Sequence, residues 1–492
     1  MENHILSLII FFPLFTAIVF GVLKVNIKVL KIGSLVSSAI TLLLVFWLTM
    51  NFDPDGGMQF VRNLPWIQNA GITYYIGVDF LSLTMLILIS LLMPPLYLYM
   101  RHEDRKGYWY NMLLLQTGVT GAVLALDLVL FYLFWETMLL PIYIMIGKYG
   151  NTSHQYNAMK IVLITIFGSM SMLFSILYLG YMFYETTGIW SFAINDLASI
   201  IFDPQTSIIL AAGFLLAFVI KIPLVGFHTW MAPAYGSAPT PAVVIMSSIM
   251  AKLGVYGIWR FGFGLFETTL SYYAPIIIVL AIIGMIYYAI RAINEKDLRK
   301  MFAFSSGSHL SLIALGLFLT NIYAWSGSLY LIATHALASA GIFLMIGLTF
   351  QRFRTLKISE LGGIASKAPI FTFFFAFFAL SIAGLPGTGG FVAELLIIIG
   401  AFKANFWIGV FTSLTMLSAM IYVFWMLQRT LFGQANNDTE FKDLNLREIT
   451  MLLPLVIMLL ITGIAPSLFT PIFEPGITVF LQDALHAIGG LK

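Results

Sequence analysis

Six ionisable side chains lie inside otherwise apolar stretches of this 492-residue chain. Lys221 sits in Phe218-Val-Ile-Lys221-Ile-Pro223, and Lys252 in Ser247-Ser-Ile-Met-Ala-Lys252-Leu-Gly254. Glu136 sits in Leu133-Phe-Trp-Glu136-Thr-Met, and Glu394 in Phe391-Val-Ala-Glu394-Leu-Leu. His309 and His335 complete the set. Desolvation disfavours the charged form of a lysine and a neighbouring carboxylate favours it, so a lysine whose acid partner moves is a proton switch. Histidine titrates near neutrality and can relay. An ion near the centre of a bilayer costs ~2.5–3.5 kcal/mol, so the four Lys and Glu sites together would cost on the order of 10 kcal/mol unless paired or hydrated. Static ion pairs are the alternative reading, and a packing role is the alternative for each histidine alone. Buried pairs rarely stabilise more than an apolar replacement would. Six such groups in one chain point instead to proton or cation movement. His4, His102, His154 and His486 fall at boundaries, loops or the tail and read as surface. Asp79 and Asp127 fall at helix edges and read as interfacial.

The elements that hold these groups are membrane spans. Hydrophobic residues make up 60% of the chain and charged residues only 10%, too few to cover a water-facing surface. Apolar runs predict fourteen helices, near 4–23, 28–49, 78–100, 110–126, 128–147, 157–183, 206–230, 240–263, 271–292, 298–320, 325–350, 369–405, 406–430 and 449–470. The first run lacks a basic leader and a cleavage site and reads as a retained helix. With no cysteine there is no Fe–S cluster, thiolate metal site or disulfide, and so few charges leave no basic nucleic-acid face.

Loop cations orient the chain. Even-side loops and the C-terminus hold Arg62, Arg260, Lys403 and Lys492. Lys221 and Lys252 fall inside helices, and the other 19 of the 25 Lys and Arg lie in loops after odd-numbered helices. The positive-inside rule places those odd loops in the cytoplasm and both termini outside. The chain is thus expected as a multi-pass protein of the cell inner membrane.

Two helices are expected to be interrupted. Pro223 breaks the seventh beside Lys221, whose charge suits the freed carbonyls there. Gly384, Pro386, Gly387, Gly389 and Gly390 unwind the twelfth and leave Glu394 near the positive start of a second half-helix. The glycines lack the phosphate-loop pattern, which argues against nucleotide binding. Broken helices five spans apart suggest inverted repeats, as in secondary transporters. The expected fold is an all-α polytopic membrane protein of about fourteen helices with two inverted five-helix repeats. Its divisions are N-terminal helices over 1–109, a first repeat over 110–263, a second over 264–431, and a cytoplasmic loop, last helix and tail over 432–492.

These residues resemble a known family: the proton-pumping, antiporter-like subunits of respiratory complex I and the related multisubunit cation/proton antiporters. The resemblance rests on Glu136, Lys221, the run His228-Thr-Trp230-Met-Ala-Pro-Ala-Tyr-Gly-Ser-Ala238-Pro239-Thr240, Lys252-Leu-Gly254, Ser308-His309 and Gly384-Leu-Pro-Gly-Thr-Gly-Gly-Phe-Val-Ala-Glu394. Glutamate at position 394, where the L-type and N-type members resemble each other in having lysine, and the absence of a long lateral helix, resemble the M-type branch. One departure stands out. Members usually carry acids within Leu-Pro-Asp-Ala-His/Tyr and before Ala-Pro-Thr, whereas this chain reads Met231-Ala-Pro-Ala-Tyr-Gly-Ser237.

The resemblance implies proton translocation driven by quinone reduction elsewhere in a complex. It implies that Glu136 and Lys221 form a movable pair, that Lys221 passes its proton toward Lys252, and that a hydrated path through His309 and His335 reaches Glu394. Serines 247, 248, 305 and 308 could hold water along it. It implies no cofactor in this chain, with FMN, Fe–S clusters and quinone in partner subunits. The implied partners are L-type and N-type chains, small membrane subunits and the lipid bilayer. The rival functions are a cation/proton antiporter or ion-translocating hydrogenase subunit, and a non-transporting membrane scaffold.

Overall fold

A computed structural model describes residues 4–151, 153–434 and 441–489. Lys492, the His486 side chain and residues 435–440 of the expected cytoplasmic link lie outside the described residues. Among those described, eleven helices are long and apolar enough to cross a membrane. One of them, Thr240–Asn294, covers two expected runs and bends at Phe266, whose φ of −134° and ψ of 35° are not helical. Lys106–Leu124 and the interrupted pair Pro369–Ile382 and Gly389–Ala404 supply the rest of the fourteen. The protein is a multi-pass, all-α membrane protein.

Helix starts follow local side-chain chemistry. The first-turn N–H groups of a helix have no partner within it, and short polar side chains supply one. Asn26 accepts from the Val29 N–H, Asp297 from those of Arg299 and Lys300, and Asn321 from that of Ala324. Reciprocal capping boxes join Asp79 to Ser82 and Asn445 to Glu448.

Both expected interruptions are present. The helix Pro204–Lys221 stops at Lys221, and helix resumes only at Met231–Ser237. Pro369–Ile382 stops before Gly384 and Gly387, whose φ values of 77° and 89° are costly for any residue with a Cβ. Glu394 is the sixth residue of the half-helix that restarts at Gly389, a second-turn position.

Several features were not legible. The fifth span breaks at Met138 into Leu128–Thr137 and Leu139–Tyr149, two residues past Glu136. The eighth carries π-helical turns at Met246–Met250 and Ile258–Phe263, the first ending two residues before Lys252. Gln59–Ile67 and Ile72–Val78 form an antiparallel hairpin, where the loop's Pro65 and irregular register hid the strand pattern.

The chain forms two compact units. The first comprises Met1–Lys221, Leu253–Ala274 and Thr478–Lys492, and the second Ile222–Lys252 and Pro275–Ile477. The second holds the most buried helices: Leu298–Phe318 is wholly enclosed, and Ile322–Phe353 nearly so.

Candidate functional site

Each unit encloses its own cluster of ionisable groups. In the first unit, Lys221 ends its helix fully buried, and its ammonium stands 4.7 Å from the centre of the Trp135 ring. Glu136 is the next residue along the chain from Trp135. Among the described residues no ion pair joins the two, and neither Lys221 Nζ nor Glu136 Oε1 has a hydrogen-bond partner. The expected pair is therefore separated here, with the indole face taking the cation in place of the carboxylate. The helix irregularity at Met138 falls next to this acid.

The second unit holds a continuous line of four groups. Lys252 is fully enclosed. Its ammonium donates to the Ser247 carbonyl of the π-helical turn and to His335 Nδ1, the latter at 2.9 Å. A widened turn explains the first bond, because it leaves a carbonyl five residues back facing the side chain. His335 Nδ1 must then accept, which puts the ring proton on Nε2, 3.3 Å from Ser339 Oγ. The His335 and His309 rings stack with centroids 4.9 Å apart and planes 22° from parallel. His309 Nδ1 donates to the Ser305 carbonyl at 2.9 Å. Its Nε2 faces Glu394 Oε1 at 3.2 Å, within ion-pair range but not aligned as a hydrogen bond. Because Nδ1–H is committed to a carbonyl, the His309–Glu394 contact holds either a carboxylic acid facing a neutral ring or a carboxylate facing an imidazolium. A proton can move between those forms without leaving the pair.

The line thus runs Lys252, His335, His309, Glu394, and the order of the two histidines is the reverse of the sequence expectation. Helix spacing within one helix is readable, but which of two histidines on separate helices lies nearer a lysine is a packing outcome. Ser247 and Ser305 touch the line, and Ser339 joins them. On the helix that carries His335, a Cβ on Gly341 would stand 2.2 Å from the Phe378 ring.

Other charged groups were misplaced or missed by the sequence. Arg260, expected in an even-side loop, is buried in the π-helical turn Ile258–Phe263. It donates to Asp79 and to Tyr256 Oη. Asp79 and Asp127, expected at the interface, are buried. Asp79 meets Arg260, and Asp127 caps its own helix and accepts from the Thr73 N–H at 2.9 Å. The apolar run Ile258-Trp-Arg260-Phe was the signal that Arg260 is inside. Arg299 is also buried, and it donates to the Ala238 carbonyl at 2.9 Å. The same guanidinium donates to Thr240 Oγ1 at 3.3 Å, just past the Met231–Ser237 stretch.

A polytopic helical protein with broken helices and buried acid–base groups is an ion-translocating membrane subunit in architecture. Residues 125–419 match the family described as NADH:quinone oxidoreductase/Mrp antiporter, TM. The chain belongs to this family. It is 32% identical to NADH-ubiquinone oxidoreductase chain 4 of Marchantia polymorpha, with 97% of each chain covered. It is likewise 32% identical to NADH-quinone oxidoreductase subunit M of Rhodobacter capsulatus, over 100% of this chain and 99% of that one. Among solved structures, a chain of respiratory complex I from Thermus thermophilus superposes with a TM-score of 0.89 at 26% identity, over 99% of this chain and 100% of that one. A chain of the Mrp complex from Dietzia sp. has the same fold, with a TM-score of 0.87 at 21% identity over 100% and 99%.

Proposed function

We propose that this chain is the M-type proton-translocating membrane subunit of an NADH:quinone oxidoreductase. The observation that carries the reading is the unbroken contact line from Lys252 through His335 and His309 to Glu394 in the protein interior. Each member can hold or release a proton, the Lys252–His335 and His309–Glu394 contacts are within transfer distance, and the two imidazoles stack between them. Glu136 and Lys221 take the first step: the acid approaching the lysine favours its charged form, and the separated arrangement disfavours it. Lys252, His335, His309 and Glu394 take the following steps. The interruptions at Pro223 and at Gly384, Pro386, Gly387, Gly389 and Gly390 let the half-helices carrying Lys221 and Glu394 respond to charge.

In this reading residues 110–263 and 264–431 are the two inverted repeats, flanked by 1–109 and 432–492. The chain carries no cofactor. FMN, Fe–S clusters and quinone belong to partner subunits, and quinone reduction there drives translocation through charge or conformation. L-type and N-type chains and small membrane subunits are its neighbours. The location is the cell inner membrane with both termini outside, supported by the loop distribution of lysine and arginine. The names of the relatives favour this over an antiporter or hydrogenase subunit, as does glutamate at position 394.

The test replaces Glu136 or Lys221 by alanine and measures quinone reduction and proton pumping of the assembled complex in vesicles. Loss of pumping in both is expected. Full quinone reduction with unchanged pumping in both variants would sink the reading.

A further inference from the structure

The first half of the second broken helix, Pro369–Ile382, has no cap of its own. Ala368 at its N-cap offers no side-chain acceptor. Pro369 has no N–H, and the Thr372 N–H bonds to the Ala368 carbonyl. That leaves the N–H groups of Ile370 and Phe371, and Asp443 accepts from both. Its Oδ2 meets the Ile370 N–H at 3.0 Å and its Oδ1 the Phe371 N–H at 2.7 Å. A carboxylate from 72 residues further along the chain thus sits at the positive end of this half-helix. The chain around Asp443 is held in turn. Arg352, near the end of the helix that carries His335, donates to the Lys442 carbonyl at 2.8 Å, to the Asp443 carbonyl at 3.3 Å and to Glu448 Oε2 at 2.7 Å. The Phe441 ring lies 5.0 Å from the Phe353 ring and 5.0 Å from the Phe371 ring. Glu448 also closes the capping box of the last helix, Leu446–Ile464. Residues 441–448 therefore tie three helices together at one end. The other end of the half-helix, about 20 Å away, lies against the site. A Cβ on Gly384 would stand 3.0 Å from Glu394 Oε2, and one on Gly390 would stand 2.9 Å from the Ser381 carbonyl oxygen.

We propose that Asp443 is a positioning residue, and that residues 441–448 are a strap that sets where the half-helix places Gly384 against Glu394. The inference rests on the reading of Glu394 as part of the translocation line. Loss of the Asp443 carboxylate leaves two first-turn donors unsatisfied and removes the charge that favours this end of the helix. The half-helix then settles elsewhere, and Gly384 leaves its place beside the carboxylate. The His309 contact on Glu394 Oε1, at 3.2 Å, depends on that placement. Asp443 touches no member of the line, so it acts only through the helix it holds.

The test uses the assembled complex in vesicles, normalised to the amount of complex. The chain has no cysteine, so an introduced pair reacts without competition from within it. Ile370→Cys and Lys442→Cys replace two exposed side chains that flank the cap. A short bis-thiosulfonate reagent joins the pair, dithiothreitol releases it, and the same treatment without the pair is the control. Asp443→Ala should lower proton pumping roughly 10-fold, within the roughly 100-fold that a misplacement of about 1 Å can cost. Joining the pair in that variant should restore pumping, and releasing it should remove the gain. Both readings come from one sample of one assembled complex, so a defect in folding or assembly would not produce them. Where Asp443→Ala does not assemble, Asp443→Asn carries the same test. Glu394→Gln is measured alongside. Wild-type pumping in the Asp443 variant, or pumping that stays low once the link is confirmed by mass, overturns the strap; loss of pumping in Glu394→Gln then leaves the wider reading standing. Normal pumping in Glu394→Gln overturns both.

Discussion

His335 is the joint of the buried line, and its replacement has a graded outcome that the structure fixes. The imidazole touches Lys252 Nζ at 2.9 Å on one side and stacks on His309 at 4.9 Å on the other. Removing it leaves no direct contact between the lysine and His309. The vacated space is lined by the Lys252 ammonium, Ser339 Oγ and the His309 ring, so it is polar enough to hold water. His335→Ala therefore replaces a fixed relay with mobile water. His335→Leu fills the same space with an apolar side chain and excludes that water. A positioned acid–base group contributes about 10²–10⁴-fold, which corresponds to roughly 3–5 kcal/mol of barrier. Proton pumping should fall by about 100-fold or more in His335→Leu and by a smaller factor in His335→Ala. The assay is proton movement per quinone reduced in vesicles, normalised to assembled complex, with Ser339→Ala as a neighbouring control that leaves both ring contacts in place. Wild-type pumping in His335→Leu, or a leucine variant faster than the alanine variant, would refute the reasoning.

Three further outcomes follow from other contacts. Asp79→Ala strands the buried Arg260 charge and removes a helix cap, costing about 4–6 kcal/mol; the yield of folded complex should drop, and Asp79→Leu with Arg260→Met should recover most of it. Trp135→Leu removes the aromatic face under the Lys221 ammonium, worth about 1–2 kcal/mol in a desolvated setting; pumping should fall up to about 10-fold, while Trp135→Phe retains most of it. Gly341→Ala places a methyl against the Phe378 ring and should destabilise by about 1–3 kcal/mol, seen as a lower thermal transition, with Phe378→Leu as a compensating second change.

The sequence by itself determined that the chain crosses the membrane many times, where the spans fall and which groups are out of place within them. Those conclusions follow from one-dimensional quantities: length of apolar runs, proline and glycine positions, and the scarcity of charge. Lys221 at the end of its half-helix and Glu394 past a glycine-rich break were legible for that reason, because local backbone chemistry ends a helix wherever the chain is packed. Only the tertiary structure decided which groups meet. His335 lies 83 residues from Lys252, and Glu394 lies 85 residues beyond His309. No period in the sequence encodes the order in which residues on separate helices come into contact. The same limit hides the partner of Arg260: its apolar run marks it as internal, but only packing brings Asp79, 181 residues away in sequence, to meet it. It also explains Glu136, whose distance from Lys221 is set by how two helices pack around Trp135. Burial cost tells a reader that such charges need partners. Packing alone assigns the partners, because a buried charge left without one costs roughly 3–5 kcal/mol while geometry settles which partner it meets.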